Sequence, residues 1–348
     1  MIRKFVHIGY PKNFSTSLQY DFFAKHPELF HLGIGPELAY SDPLTDAAFE
    51  VYLKSTKGLK YAEVEEKLTA HFAELIDRAE KEGKKALTIS SEHLSFSFSN
   101  DSLGFEEKIS RVAKLIGNDL HIVAIIRNQF DLIKSLYRES VRVGFPGDFA
   151  SYIYLLYKYQ DRNYCYDLRY DLVYKTLCKY FKPENIHFLA FENMRQPDGT
   201  MVRVNNEITL IRSLCNELGV SYMETDFGHY NEALSDAVVI AKSELNKTNR
   251  HDLGNIVLDT AEKHRMKHYL FSELDLHEAE EVLYGDVRTK RALIAKATEE
   301  AKGKTGKLSY AVDPTIMEKL KAFYENGNRD FAAASGVTLS DKYFNLRF

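Results

Sequence analysis

The chain has no tryptophan, only three cysteines and only eight prolines in 348 residues. The cysteines are Cys165, Cys178 and Cys215; an odd number fits no disulfide framework, and their spacing fits no zinc motif. Reduced core thiols of a cytoplasmic protein are the expectation. No stretch approaches the roughly 20 apolar residues of a membrane span. The apolar run near the start is broken at His7, too early for a secretory signal. An excess of one charge is missing too: 46 Lys and Arg stand against 50 Asp and Glu, a net charge of −4. That balance argues against nucleic acid or an anionic membrane as partner. An anionic ligand must then be held by a few placed cations.

What is present is ordinary globular material, 45% hydrophobic and 28% charged. Short β-rich runs alternate with helical ones. Strands are expected at 5–9, 86–90, 120–126 and 186–191. Helices are expected at 15–25, 61–82, 105–116, 130–143 and 206–218, several of them closed by Gly83, Gly117, Gly144 or Gly219. Such alternation predicts an α/β fold with a central parallel sheet and helices on both faces. Beyond Tyr222 the pattern is helical and charged over 231–302 and helical over 313–335. One domain is expected, an α/β core over 1–222 with a mostly helical extension over 223–348 packed on it.

Four segments carry chemistry. The first runs His7-Ile-Gly9-Tyr-Pro11-Lys12-Asn13-Phe14-Ser15-Thr16-Ser17, after a strand and into a helix. Backbone N–H groups and hydroxyls at a helix N-terminus form an anion site, and Lys12 adds a point charge. A plain Ser/Thr helix cap is the bland alternative. A Walker A loop is excluded, because here the lysine precedes the hydroxyls. The second segment is a strand ending in Arg127-Asn128-Gln129, with Ser135 eight positions after Arg127. Arg127 stands at the carboxyl edge of the sheet, where open α/β folds bind ligands. The third is Ser90-Ser91-Glu92-His93, at the end of another strand. Either Glu92 or His93 has the chemistry of a general base. The fourth is a basic, Gly-rich stretch, Lys302-Gly-Lys304-Thr-Gly-Lys307, followed by Phe323-Tyr324 and Asn326-Gly-Asn328.

Together these segments resemble the sulfotransferases that use 3′-phosphoadenosine-5′-phosphosulfate (PAPS), in their bacterial form. The resemblance runs from residue 5 to about 335. It implies a P-loop-like three-layer fold. It also implies that Lys12, Asn13, Phe14, Ser15, Thr16 and Ser17 form the 5′-phosphosulfate loop, and that Arg127 and Ser135 hold the 3′-phosphate. The acceptor-side base falls on Glu92, which the resemblance prefers, or on His93. The Lys302–Lys307 stretch is similar to the loop that closes over the donor in the heparan-sulfate type, making Lys304 and Lys307 candidate donor contacts. Phe191-Glu192, and Asn231 with Ser235, are weaker echoes. Two positions depart from the pattern: Phe14 replaces a small residue, and Gln129 replaces proline.

The activity implied is in-line transfer of a sulfuryl group from PAPS to an acceptor hydroxyl, with a glycan or glycolipid as the expected acceptor, phenols, sterols and peptides left open, and no metal. A P-loop kinase using ATP and a non-catalytic nucleotide-binding protein of the same fold are the rivals. Nine tyrosines between Tyr152 and Tyr180 suit either half-buried helix packing, the preferred reading, or a sugar-stacking surface.

Overall fold

The computed structural model describes residues 2–34, 40–56, 58–96, 103–160, 163–196, 200–228, 230, 234–248 and 287–348, the side chains of 287–290 excepted. In chain order the elements begin with β1 (Arg3–His7) and α1 (Ser15–Ser17), which runs on as a π-helix, Leu18–Phe23. Next come β2 (Leu29–His31), α2 (Pro43–Ala47) continuing as a π-helix over Ala48–Tyr52, and α3 (Gly58–Lys81). Then follow β3 (Ala86–Ser90), α4 (Phe105–Ile116), β4 (His121–Ile126), α5 (Gln129–Arg142), α6 (Phe149–Lys158) and α7 (Tyr170–Leu177). After these lie β5 (Ile186–Ala190), the hairpin β6 (Arg203–Val204) and β7 (Glu207–Ile208), and α8 (Thr209–Leu218). Beyond Tyr222 the regular elements among the described residues are helical: α9 (Asp236–Thr248), α10 (Val287–Glu300), α11 (Pro314–Ser335) and a 3-10 turn, Asp341–Tyr343.

The chain divides into two compact units. The first comprises Met1–Asn128, Asp167–Tyr230 and Tyr324–Asn345. It holds a five-stranded sheet in the order β2-β3-β1-β4-β5, parallel throughout. The sheet is covered on both faces, which makes the three layers. Phe5, Ala86, Val123 and Ile125 share one face and pack with Leu18, Phe22 and Phe23 of the first helix and Ile211, Leu214, Cys215 and Leu218 of α8. The alternate residues Val6, Leu87, Ile89, Ile122, Ala124 and Ile126 are equally buried. On that side α3 packs against β3 and α4, and α4 in turn against α7. Strands buried on both faces read as continuous apolar runs, which is why LHIVAII was legible.

The second unit comprises Gln129–Tyr166, Asn231–Phe323 and Leu346–Phe348 and is helical. Here α9 packs with both α5 and α10. Asn246 of α9 is fully buried and donates to the carbonyls of Val141 and Phe145, satisfying the end of α5. No helix among the described residues is long and apolar enough to cross a membrane.

Two local expectations change, and the edge strand was not expected. The first helix is α-helical only over Ser15–Ser17 before it widens to π geometry, with Ala24 N–H reaching back to the Gln19 carbonyl. The helix expected from 206 starts at Thr209, because Asn205 and Asn206 both adopt positive φ (51° and 65°) and turn the β6–β7 hairpin. The edge strand β2 spans only Leu29–His31, too short for a periodicity to show. The stretch 249–286 lies outside the described residues.

Candidate active site

The strand order fixes where ligand chemistry belongs in the first unit. From central β1 the chain goes out to the edge strand β2, comes back to β3 between them, and then crosses to β4 and β5 on the other side. The carboxyl ends of β1 and β4 thus flank the switch point, where open α/β sheets bind ligands. Those two ends carry the Gly9–Ser17 loop and Arg127.

The loop is held by buried polar groups. Asn13 is fully buried, and its Nδ2 donates to the Ile125 carbonyl of β4 at 3.0 Å. Ser95 donates to the Gly9 carbonyl at 2.6 Å. A Cβ on Gly9 would meet Ser15 Oγ at 2.5 Å, so only glycine lets the helix start pack against the strand end. Below the loop, His7 Nδ1 lies 2.8 Å from Ser90 Oγ, and Gln19 donates to the same hydroxyl at 3.0 Å. Burial, with a smaller contribution from His31, lowers the pKa of His7 to about 4, so this network is neutral near pH 7.

Lys12 and Phe14 both take positive φ, 65° and 72°. The left-handed conformation costs a non-glycine residue about 1–2 kcal/mol. This accounts for the departure at Phe14: the backbone takes the path a glycine would take, and the side chain is held by packing. The Phe14 ring meets Phe227 edge-on at 4.6 Å. Lys12 is half-buried; Ser15 and Ser17 are buried and Thr16 half-buried, beside the N–H groups of the first turn.

Arg127 Nη1 donates to the Lys12 carbonyl at 3.3 Å, so the structure brings the first two motifs together. The strand end beneath Arg127 is braced on each side. Tyr170 Oη donates to the Arg127 carbonyl at 2.6 Å. Glu192 accepts from the Asn128 N–H at 2.8 Å and from the Tyr343 hydroxyl at 2.6 Å. The Asn128 side chain donates to the Lys342 carbonyl, and buried Asn328 donates to that of Tyr343 at 2.8 Å. The aromatic-acidic pair Phe191-Glu192 is thereby part of the Arg127 support, as is the Asn328 end of the fourth segment. Arg195, which sequence reasoning did not single out, joins the same edge. Its guanidinium lies 5.4 Å from the Phe14 ring centre and 5.1 Å from that of Phe191, while Arg127 lies 5.3 Å from Phe191.

At the end of β3, Glu92 and His93 form a 3-10 turn and differ in setting. His93 Nε2 is 3.3 Å from Glu50 Oε2, and its Nδ1 is buried. Glu50 also binds Lys54 at 2.9 Å, a lysine only 1% exposed, and accepts from the Tyr40 hydroxyl at 3.2 Å. Burial works against the Glu50 charge, but His93 and Lys54 outweigh it and hold the carboxyl well below its ordinary range. Glu50 was invisible in the sequence, being one acid among many. Glu92 is half-buried.

The remaining expected site residues lie in the second unit. Ser135 is on α5 and half-buried; Lys304 and Lys307 are exposed in the turn after α10, where Gly303 takes a φ of 72°. Ser235 Oγ accepts from the Val238 N–H at 3.4 Å at the start of α9, and Asn231 lies outside the described residues. Of the tyrosines, Tyr152 and Tyr170 are buried, whereas Tyr154, Tyr159 and Tyr166 are exposed. Among the described residues no three His, Cys, Asp or Glu side chains gather as a metal site. An open cleft of about 480 Å³ at the amino edge of the sheet, lined by Arg3, Glu80, Lys84 and Lys85 among others, holds none of the candidate residues.

No family model matches the chain, and no curated protein does. Among solved structures it is similar to a sulfotransferase from Alicyclobacillus acidocaldarius, at 16% identity and a TM-score of 0.44, over 84% of this chain and 99% of that one.

Proposed function

We propose that this chain is a sulfotransferase that takes PAPS as donor and transfers its sulfuryl group to an acceptor hydroxyl. The observation that carries the reading is the meeting of Lys12 and Arg127 at the switch point, with Arg127 donating to the Lys12 carbonyl. Two cations on two adjacent strand ends suit a ligand with two anionic groups. A nucleotide with both a 5′-phosphosulfate and a 3′-phosphate is such a ligand.

In this reading Lys12 and the loop N–H groups neutralise charge growing on the 5′-phosphate oxygen as its bond to sulfur breaks. The acceptor oxygen forms the new bond to sulfur, and its proton passes to Glu92. Glu92 is the base that the resemblance prefers, and the Nε2 of His93 faces Glu50 while its Nδ1 is buried. The products are the sulfate ester and 3′-phosphoadenosine-5′-phosphate (PAP). Arg127 holds the 3′-phosphate. For the acceptor we favour a carbohydrate hydroxyl, supported by the Lys302–Lys307 resemblance and by the exposed rings of Tyr154, Tyr159 and Tyr166.

Calorimetric titration with PAP and with ATP tests the donor class. Tight PAP binding with weak ATP binding is expected; the reverse preference would point to a kinase and overturn the reading. PAP binding without donor turnover across a panel of glycan, glycolipid, phenol and sterol acceptors would favour the non-catalytic alternative. The donor roles expected of Ser135, Lys304 and Lys307 are tested separately, by alanine variants against PAP.

A further inference from the structure

Arg195 has no place in the motifs, yet the fold sets its guanidinium beside that of Arg127. The two charges repel: burial first and Arg127 second lower the pKa of Arg195. Among the described residues no carboxylate pairs with either guanidinium. The backbone of Arg195 is fixed by a bridge to Met201 and by hydrogen bonds on either side of it, from Val202 to Met194 and from Gln196 to Thr200. Its side chain lies against the rings of Phe14 and Phe191, the second of which also faces Arg127. Stacking on aromatic faces orients a planar guanidinium and leaves its edge donors directed outward.

Two convergent arginines without a carboxylate between them are a mutual cost in the free protein. An anion placed between them turns that cost into attraction. The charge on the ligand decides which anion fits. A phosphodiester or phosphosulfate oxygen cluster offers one charge per group, whereas a phosphomonoester carries about −1.5 to −2 at pH 7 and three acceptor oxygens. It can accept from both guanidinia at once.

We infer that Arg195, carried on the rings of Phe14 and Phe191, pairs with Arg127 to grip the 3′-phosphomonoester of the nucleotide. The assignment rests on the donor reading above. It gives Phe14 a use: the ring that replaces a small residue in the loop supports the second arginine. It also makes the anion site selective for a nucleotide bearing a 3′-phosphate.

Calorimetry on the full chain tests it with two probes: PAP, and adenosine 5′-phosphosulfate, which lacks the 3′-phosphate. R195A is expected to weaken PAP about 10- to 150-fold, the value of one charged hydrogen bond, and to leave adenosine 5′-phosphosulfate within about twofold. R195K keeps the charge but loses the planar stack, so it should restore only part of the loss. F14L keeps apolar bulk against Phe227 and removes the ring face, so PAP should weaken in the same direction by a smaller factor. Wild-type PAP affinity should fall as pH drops below the second phosphate ionisation near pH 6, and less steeply in R195A.

An R195A protein that binds both probes like the wild type, or loses both equally, overturns the assignment. So does complete rescue by R195K, which would mean a diffuse charge effect. An F14L protein with full PAP affinity removes Phe14 from it. Wild type that fails to bind PAP overturns the donor reading itself, and this inference with it. PAP binding that depends on Arg127 and ignores Arg195 overturns this inference alone.

Discussion

Asn13 Nδ2 donates to the Ile125 carbonyl across 3.0 Å, tying the loop after β1 to the strand beside it. Asn13 is fully buried, so the bond has no water to replace it. Asn13→Asp is nearly isosteric but puts an acceptor, ionised near pH 7, against a carbonyl. A buried acceptor left without its donor costs about 1–3 kcal/mol, and more when charged. Thermal unfolding should show that loss, and PAP affinity should fall with it as the loop shifts. An unchanged melting temperature would mean the loop is not anchored at this point.

Lys12→Ala tests the loop's chemistry rather than its anchoring. Lys12 is half-buried and lies in the turn, and its carbonyl, not its ammonium, accepts from Arg127. The backbone should therefore survive the change. Removing one group that stabilises developing charge lowers turnover by about a hundredfold or more. The melting temperature should stay close to wild type. Near-normal turnover would take Lys12 out of the mechanism.

His7 sets a pH dependence. Its pKa is about 4 in the folded chain, because burial and His31 disfavour the charged ring; in the unfolded chain it is about 6.5. Between those values the unfolded state binds the extra proton, so stability rises with pH across the window and is lost as pH falls from about 6.5 towards 4. The shift corresponds to about 3 kcal/mol for this one group. Denaturant titrations at pH 7 and pH 4.5 should show most of that loss in the wild type. His7→Asn should show less of it, while keeping a side chain able to reach Ser90. Equal acid sensitivity in both proteins would place the titrating group elsewhere, His31 being the next candidate.

The sheet and the loop were legible because each leaves a local mark. Strands buried on both faces are apolar runs, and a lysine followed by hydroxyls after such a run is a pattern on its own. The helix stops at Gly117 and Gly219 stand where glycine suits the chain, both at positive φ. Glu50, Arg195, Asn13's bond and Tyr343's support of Glu192 were not legible. Each depends on which strands lie side by side, and strand order is set by packing over long separations rather than by local spacing. Phe14 shows the same limit in reverse. It read as a defect of the loop, because the ring of Phe227 and the guanidinium of Arg195 lie far away in sequence.

Glu92 and His93 are adjacent, but their surroundings give them different work. His93 Nε2 lies 3.3 Å from Glu50, which also carries the buried Lys54. His93→Asn should therefore act on stability. It removes one of three partners from a buried carboxylate, and breaking a buried ion pair typically costs about 3–5 kcal/mol. Here Lys54 stays in place, so the loss should fall at or below the lower end. Turnover per folded molecule should change little. Glu92→Gln keeps the size of the side chain and removes its ability to take a proton. Stability and PAP affinity should hold, while turnover falls by roughly 10²–10⁴, the range a general base contributes. Measuring unfolding, PAP affinity and turnover for both variants separates the roles cleanly. An inactive but stable His93 variant beside an active Glu92 variant would move the base to His93 and make Glu50 the carboxylate that orients it. Two active variants would leave this turn without a base, and the non-catalytic nucleotide-binding alternative would then account better for the fold.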